Sequence, residues 1–144
     1  MANVIRVLTK AMTSLWSKTG SVPNNGLFIG AAPQGIYPLY ATWNIIPPGN
    51  LIMSMGSGPQ GITGTQGSNI DDMHIQVTYF SSQQQGLGLC MDLFAYGDGL
   101  WHRQDLSMTG VNLVGMYRIG TFVYWYNDVE KVWQVSAMYR VMVG

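Results

Sequence analysis

The chain has 144 residues, about the modal size of one domain, and its seven Lys and Arg are balanced by seven Asp and Glu. With no net charge and no run of like charge, it lacks the electrostatic footprint of a nucleic-acid binder. A lone Cys90 excludes an intramolecular disulfide framework and any multi-cysteine zinc or iron–sulfur site, and fits a reducing interior more easily than an oxidising one.

In chain order, Val4, Val7, Leu8, Ala11, Met12, Leu15 and Trp16 recur at helical spacing with Arg6, Lys10, Thr13 and Ser17 between them, which predicts an amphipathic helix that ends by Gly20. Pro23 and Asn25-Gly26 punctuate the connection to a short strand, Leu27-Phe28-Ile29. After a turn-rich stretch, Leu39 to Ile46 is rich in Tyr, Trp, Thr and Ile and reads as a strand closed by Pro47-Pro48-Gly49. Residues 47–70 read as a long Gly-rich loop. Beyond it, Met73, Ile75, Val77 and Tyr79 alternate with His74, Gln76 and Thr78, the period of a half-buried strand. Leu87, Cys90, Met91 and Phe94 then share one stripe of a second helix over 83–94, with Gly86 and Gly88 each costing it about 1 kcal/mol. The β-branched and aromatic stretch Val111 to Val143, broken at Asn127-Asp128, reads as a C-terminal β-hairpin. The expected fold is therefore α+β in one domain, residues 1–144: an antiparallel sheet of four to five strands covered by two helices.

Charged residues make up 10% of the chain, against about 25% in ordinary soluble domains, and ten Met and five Trp accompany them. A free monomer with such a surface is a poor colloid, so lipid or protein should cover it. No apolar run approaches the roughly 20 residues of a membrane helix, and the charges spread through MANVIRVLTKAMTSLW do not make a signal peptide. Protein neighbours are the better account, because uncharged surface rich in Met and aromatics resembles the core of an interface.

Gly56-Ser57-Gly58-Pro59-Gln60-Gly61 spells G-x-G-x-x-G, the letters of a dinucleotide fingerprint. That motif needs a strand before it and a helix opening at its third glycine; here Ile62-Thr63-Gly64-Thr65-Gln66-Gly67 follows, and Pro59 removes a backbone N–H. Cys90 with His74 or His102 would supply a nucleophile and base, yet Cys90 sits on an apolar stripe and reads as a packed thiol. Asp71-Asp72 has no second acidic cluster nearby and reads as a solvated turn. Asp98, His102 and Asp105 flank Trp101, where a weak metal or contact site is conceivable and a turn or interface role is favoured. Leu51, Ile52, Met53 and Met55 would be exposed in a loop of a monomer, so they are expected to pack on a neighbouring subunit together with Trp101 and His102. Neither catalytic residues, nor a cofactor, nor a metal site is expected.

The helix followed by Ala31-Ala32-Pro33-Gln34-Gly35-Ile36-Tyr37-Pro38-Leu39-Tyr40 resembles the "APQG…PY" approach to the second strand in tail-completion proteins, or tail terminators, of long-tailed bacteriophages, which have relatives in gene transfer agents. The order of elements over almost the whole chain is similar too. The resemblance implies a structural virion protein: a homohexameric ring at the head-proximal end of the tail tube that stops tube polymerisation and docks on the head connector or stopper protein. It also implies assembly in the host cytoplasm, DNA passing through the ring without sequence recognition, and no membrane. Pro33, Gln34, Gly35, Pro38 and Tyr40 would set the approach to the strand without any chemistry. Gly86, Gly88 and the low charge depart from the pattern, which leaves a head–tail stopper or another tube or neck component open. Two further readings compete: a small-molecule or sugar-binding module stacking a ligand on Trp43, Trp101, Trp125 or Trp133, and an enzyme built on Cys90.

Overall fold

In chain order, the elements are α1 (Val4–Leu15), β1 (Leu27–Ile29), β2 (Tyr40–Ile46), β3 (Asp71–Ser82), α2 (Gly86–Trp101), β4 (Leu113–Asn127) and β5 (Val132–Val143). They come from a computed structural model that describes residues 4–17, 20, 22–46, 71–103 and 113–143. The strands form one sheet in the order β1-β2-β3-β5-β4. The α+β class, the two helices and the C-terminal hairpin agree with the reading of the sequence; the sheet itself is mixed. β1 runs parallel to β2, whereas β2·β3, β3·β5 and β4·β5 are antiparallel. The parallel pair arises because residues 30–39 carry the chain back along the sheet before β2 begins, where a tight turn would have reversed it.

Alternation decides which face of the sheet is covered. Ala41 and Trp43 of β2, Ile75, Val77 and Tyr79 of β3, and Val135, Ala137, Tyr139 and Val141 of β5 are all buried in one cluster. Leu8, Ala11 and Met12 of α1 and Cys90, Leu93, Phe94 and Trp101 of α2 join them. Both helices therefore lie on one face. Trp16, just past α1, ties the layers together: its ring stacks on Trp101 at 5.5 Å and 16°, and meets Tyr96 edge-on at 5.2 Å.

α2 runs on to Trp101, seven positions past the expected end at Phe94. Local propensity argued against Ala95-Tyr96-Gly97-Asp98-Gly99-Leu100-Trp101, yet tertiary packing overrides it. A Cβ at Gly97 would lie 2.5 Å from the Tyr79 hydroxyl and 2.8 Å from its ring, so the glycine is what lets the helix settle on β3. β3 is likewise longer than Met73 to Tyr79. Asp71 and Asp72, expected in a turn, pair with Val143 and Met142 as the first residues of the strand. The hairpin turn is built by Asn127, whose Oδ1 accepts from Val129 N (3.0 Å) and Glu130 N (3.1 Å), while Lys131 at φ 60° closes the loop.

Candidate functional site

The chemistry-bearing residues singled out in the sequence do not converge. Cys90 is fully buried, its Sγ donating to the Tyr79 carbonyl at 3.1 Å, and burial pushes the thiol up to about 11. From position 90 to position 102 the chain rises about 18 Å along a helix, so His102 stands at the other end of α2. His74 occupies the register position opposite Arg140, on the face of the sheet that the helices leave open. Thus neither histidine can take a proton from this thiol, and a thiol held above the neutral range is no nucleophile.

Asp98 and His102 do come together, as a clasp. Arg118 of β4 reaches back to α2, with its guanidinium 2.8 Å from Asp98 Oδ2 and 5.5 Å over the Phe94 ring. Tyr139 of β5 donates to Asp98 Oδ1 at 2.6 Å, and the Arg118 backbone N–H donates to His102 Nδ1 at 2.8 Å. Both carboxylate oxygens and the free imidazole nitrogen are thereby used, so the pair is an anchor of the helix end rather than a cation site. Asp105 lies outside the described residues, among which no group of three potential metal ligands occurs. The signal for this clasp was present in the spacing Asp98…His102, but its partners Arg118 and Tyr139 come from other strands and carry no local mark.

Of the residues expected at an interface, Leu51, Ile52, Met53 and Met55 lie outside the described residues, as does the whole G-x-G-x-x-G stretch. Trp101 is fully buried in the core, and no part of its side chain reaches the surface. His102 is half-buried at the clasp. The Trp platform imagined for a ligand is divided: Trp43 and Trp101 are core, Trp133 packs on Tyr126 at 5.1 Å, and Trp125 is 40% exposed.

The stretch that holds Pro33, Gln34, Gly35, Pro38 and Tyr40 leads into β2. A turn closes with Ile36 N donating to the Pro33 carbonyl at 3.3 Å, and Gly35 takes φ 92°, a conformation that suits glycine. Asn25 holds the other side: its backbone N–H donates to the Leu39 carbonyl at 2.7 Å and its Nδ2 to the Tyr37 carbonyl at 2.8 Å. Tyr40 then opens β2.

Sequence reasoning missed the surface of β4. Between Ile119 and Val123 the register with β5 shifts at a bulge, where Gly120 has φ 71°. Past the bulge, Val123, Tyr124 and Trp125 are 56%, 57% and 40% exposed in succession. At the bulge the open face carries a shallow cleft of ≈ 430 Å³ lined by Gln76, Ile119, Thr121, Val123, Ser136 and Met138. Its floor is a polar ladder in which Gln76 Nε2 donates to Ser136 Oγ at 2.7 Å. Without a charged group or a perturbed acid in it, the cleft fits contact better than catalysis.

Neither a protein-family model nor a curated protein matches the chain. Among solved structures, a chain from the virion of a native gene transfer agent particle is similar with a TM-score of 0.59 at 12% identity, over 97% of this chain and 90% of that one. A second solved structure is similar with a TM-score of 0.60 at 11% identity, over 96% of this chain and 92% of that one. At these identities the likeness is one of fold, and it runs almost end to end.

Proposed function

We propose that the chain is a structural virion protein that forms a ring at the head-proximal end of a phage-type tail tube, ends tube growth and joins the tail to the head connector. The observation that carries this reading is the near end-to-end fold match to a chain of a gene transfer agent virion. The apolar, exposed run of β4 and the Asp98 carboxylate clasped between Arg118 and Tyr139 support it, because they suit contact better than chemistry.

In this proposal the partners are further copies of the chain, six to a ring, the tube protein below and the connector or stopper protein above. DNA passes through the ring unread. Leu51, Ile52, Met53 and Met55 reach a neighbouring subunit or the tube. Negative-stain images of the purified chain, alone and mixed with tail tubes, test the reading: six-fold rings or capped tube ends are expected. A monomer that also leaves tube ends bare would overturn it. Met53→Glu with Met55→Glu is expected to abolish rings while the circular dichroism of the monomer is kept; rings that survive the change would remove those residues from the contact.

A further inference from the structure

The two edges of the sheet, β1 and β4, are finished differently. Along the first half of β4 the outer backbone groups are occupied by the chain itself: Arg103 N donates to the Met116 carbonyl and Arg118 N to His102 Nδ1, each at 2.8 Å. In an antiparallel ladder the N–H and C=O of one residue point to the same side, and successive residues alternate. Met116 and Arg118 stand opposite Val141 and Tyr139, so these residues of β5 turn away from β4. The same parity of β5 continues to Val135 and Trp133, whose partners beyond the bulge are Tyr124 and Tyr126. Tyr124 and Tyr126 therefore direct their backbone groups outward, and among the described residues nothing bonds them. The segment reads Phe-Val-Tyr-Trp-Tyr-Asn, with neither the charge nor the proline that commonly protects an edge.

The opposite edge is complementary. Gly26 accepts from Ala41 N and Gly30 donates to the Trp43 carbonyl, so these two turn toward β2 and the alternate residues Leu27 and Ile29 face outward. Ile29 is 52% exposed and lies opposite Trp43, on the helix-covered face; Tyr124 lies opposite Val135, on that same face. Among the described residues both edges are uncharged, both turn backbone groups outward, with the Ile29 carbonyl also accepting from Ala31 N at 3.0 Å, and both carry an exposed apolar side chain on the same side of the sheet.

We propose that Phe122–Asn127 of β4 pairs edge to edge with β1 of a second copy of this chain, Tyr124 beside Ile29, so that the sheets of successive copies run into one another. The contact is heterologous: each added copy still offers one free edge of each kind, and it repeats until the circle closes. Pairing of β4 with β4 would stop at two copies. This deepens the ring reading and rests on it only for closure.

The test is disulfide trapping in the full chain carrying Ile29→Cys and Tyr124→Cys, with the buried Cys90 left in place. Opposed residues in a bonded antiparallel pair have Cα atoms about 5.5 Å apart, inside the span of a disulfide. Oxidation is expected to give a ladder of covalent multimers on a denaturing gel, and neither single variant is expected to give one. A dimer from Tyr124→Cys alone, or the absence of any ladder from the double variant, overturns the pairing. Tyr124→Pro provides a second measurement, since it removes an N–H that the chain's own sheet does not use. It is expected to keep the native circular dichroism and to lose the oligomer in light scattering; an unchanged oligomer overturns the pairing, and if the variant unfolds the ladder decides. Six-fold rings without a ladder would discard the edge pairing and keep the ring, whereas a ladder from open chains would keep the pairing and discard the ring.

Discussion

Gly97 and Gly99 stand two positions apart in α2, and alanine is expected to move stability in opposite directions at the two. At Gly97 the new methyl group meets the fully buried Tyr79 ring, which has nowhere to go, and overpacking of this kind costs about 1–3 kcal/mol. At Gly99 a Cβ meets nothing within 4 Å, so Gly99→Ala should raise stability by up to about 1 kcal/mol through helix propensity. Urea unfolding of both variants checks the pair. Cys90 provides a pH test. Burial raises its thiol from 9.0 to about 11, so the folded chain holds this proton more tightly than the unfolded chain does. The resulting stabilisation is complete below pH 9 and is lost as pH rises through about 11. Tyr79 and Tyr139, both raised from 10.0 mainly by burial, act in the same direction at higher pH. The urea midpoint should therefore fall between pH 9 and pH 11, and a flat profile would show that the thiol is not desolvated.

At the scale of elements, the clasp at the end of α2 decides how firmly the helix is tied to β4 and β5. Asp98→Ala removes the acceptor of the Tyr139 hydroxyl and the partner of Arg118 together, and a cost of about 1–3 kcal/mol is expected in thermal or urea unfolding. Asp98→Asn keeps one acceptor for Tyr139 and should cost less. Most elements were legible in the sequence because their periods are local: α1, the alternation of β3 and the break at Asn127 all announce themselves. The second half of α2 was not, since Gly97 and Gly99 weaken the helix locally and only the ring of Tyr79, from another strand, explains the first of them. The parallel direction of β1 was hidden for a similar reason, as a three-residue strand carries no sign of the sense in which it pairs. The candidate contact surface was only partly legible. Low charge pointed to protein neighbours, but Val123, Tyr124 and Trp125 are exposed on both faces of β4 beyond the bulge because little packs there, and no composition or period encodes that.

For the whole molecule, 10% charged residues make a distinctive prediction about assembly. An oligomer held by neutral edges and apolar side chains should respond little to sodium chloride between 0.05 and 0.5 M, roughly the range over which surface ion pairs are screened. Ammonium sulfate should strengthen it, because excluded salts favour apolar burial. Light scattering across both series checks this, and dissociation by sodium chloride would indicate a charged contact. The order of the strands also has a consequence for synthesis. β5 lies between β3 and β4, yet it follows both of them in the sequence. On the ribosome β4 emerges before β5, its neighbour among the described strands, and β3 before the same partner, so the described sheet is completed only once residues 132–143 have left the tunnel. Until β5 is present, β4 lacks the strand that fixes its register, so the edge proposed to meet β1 of a second copy is not yet formed.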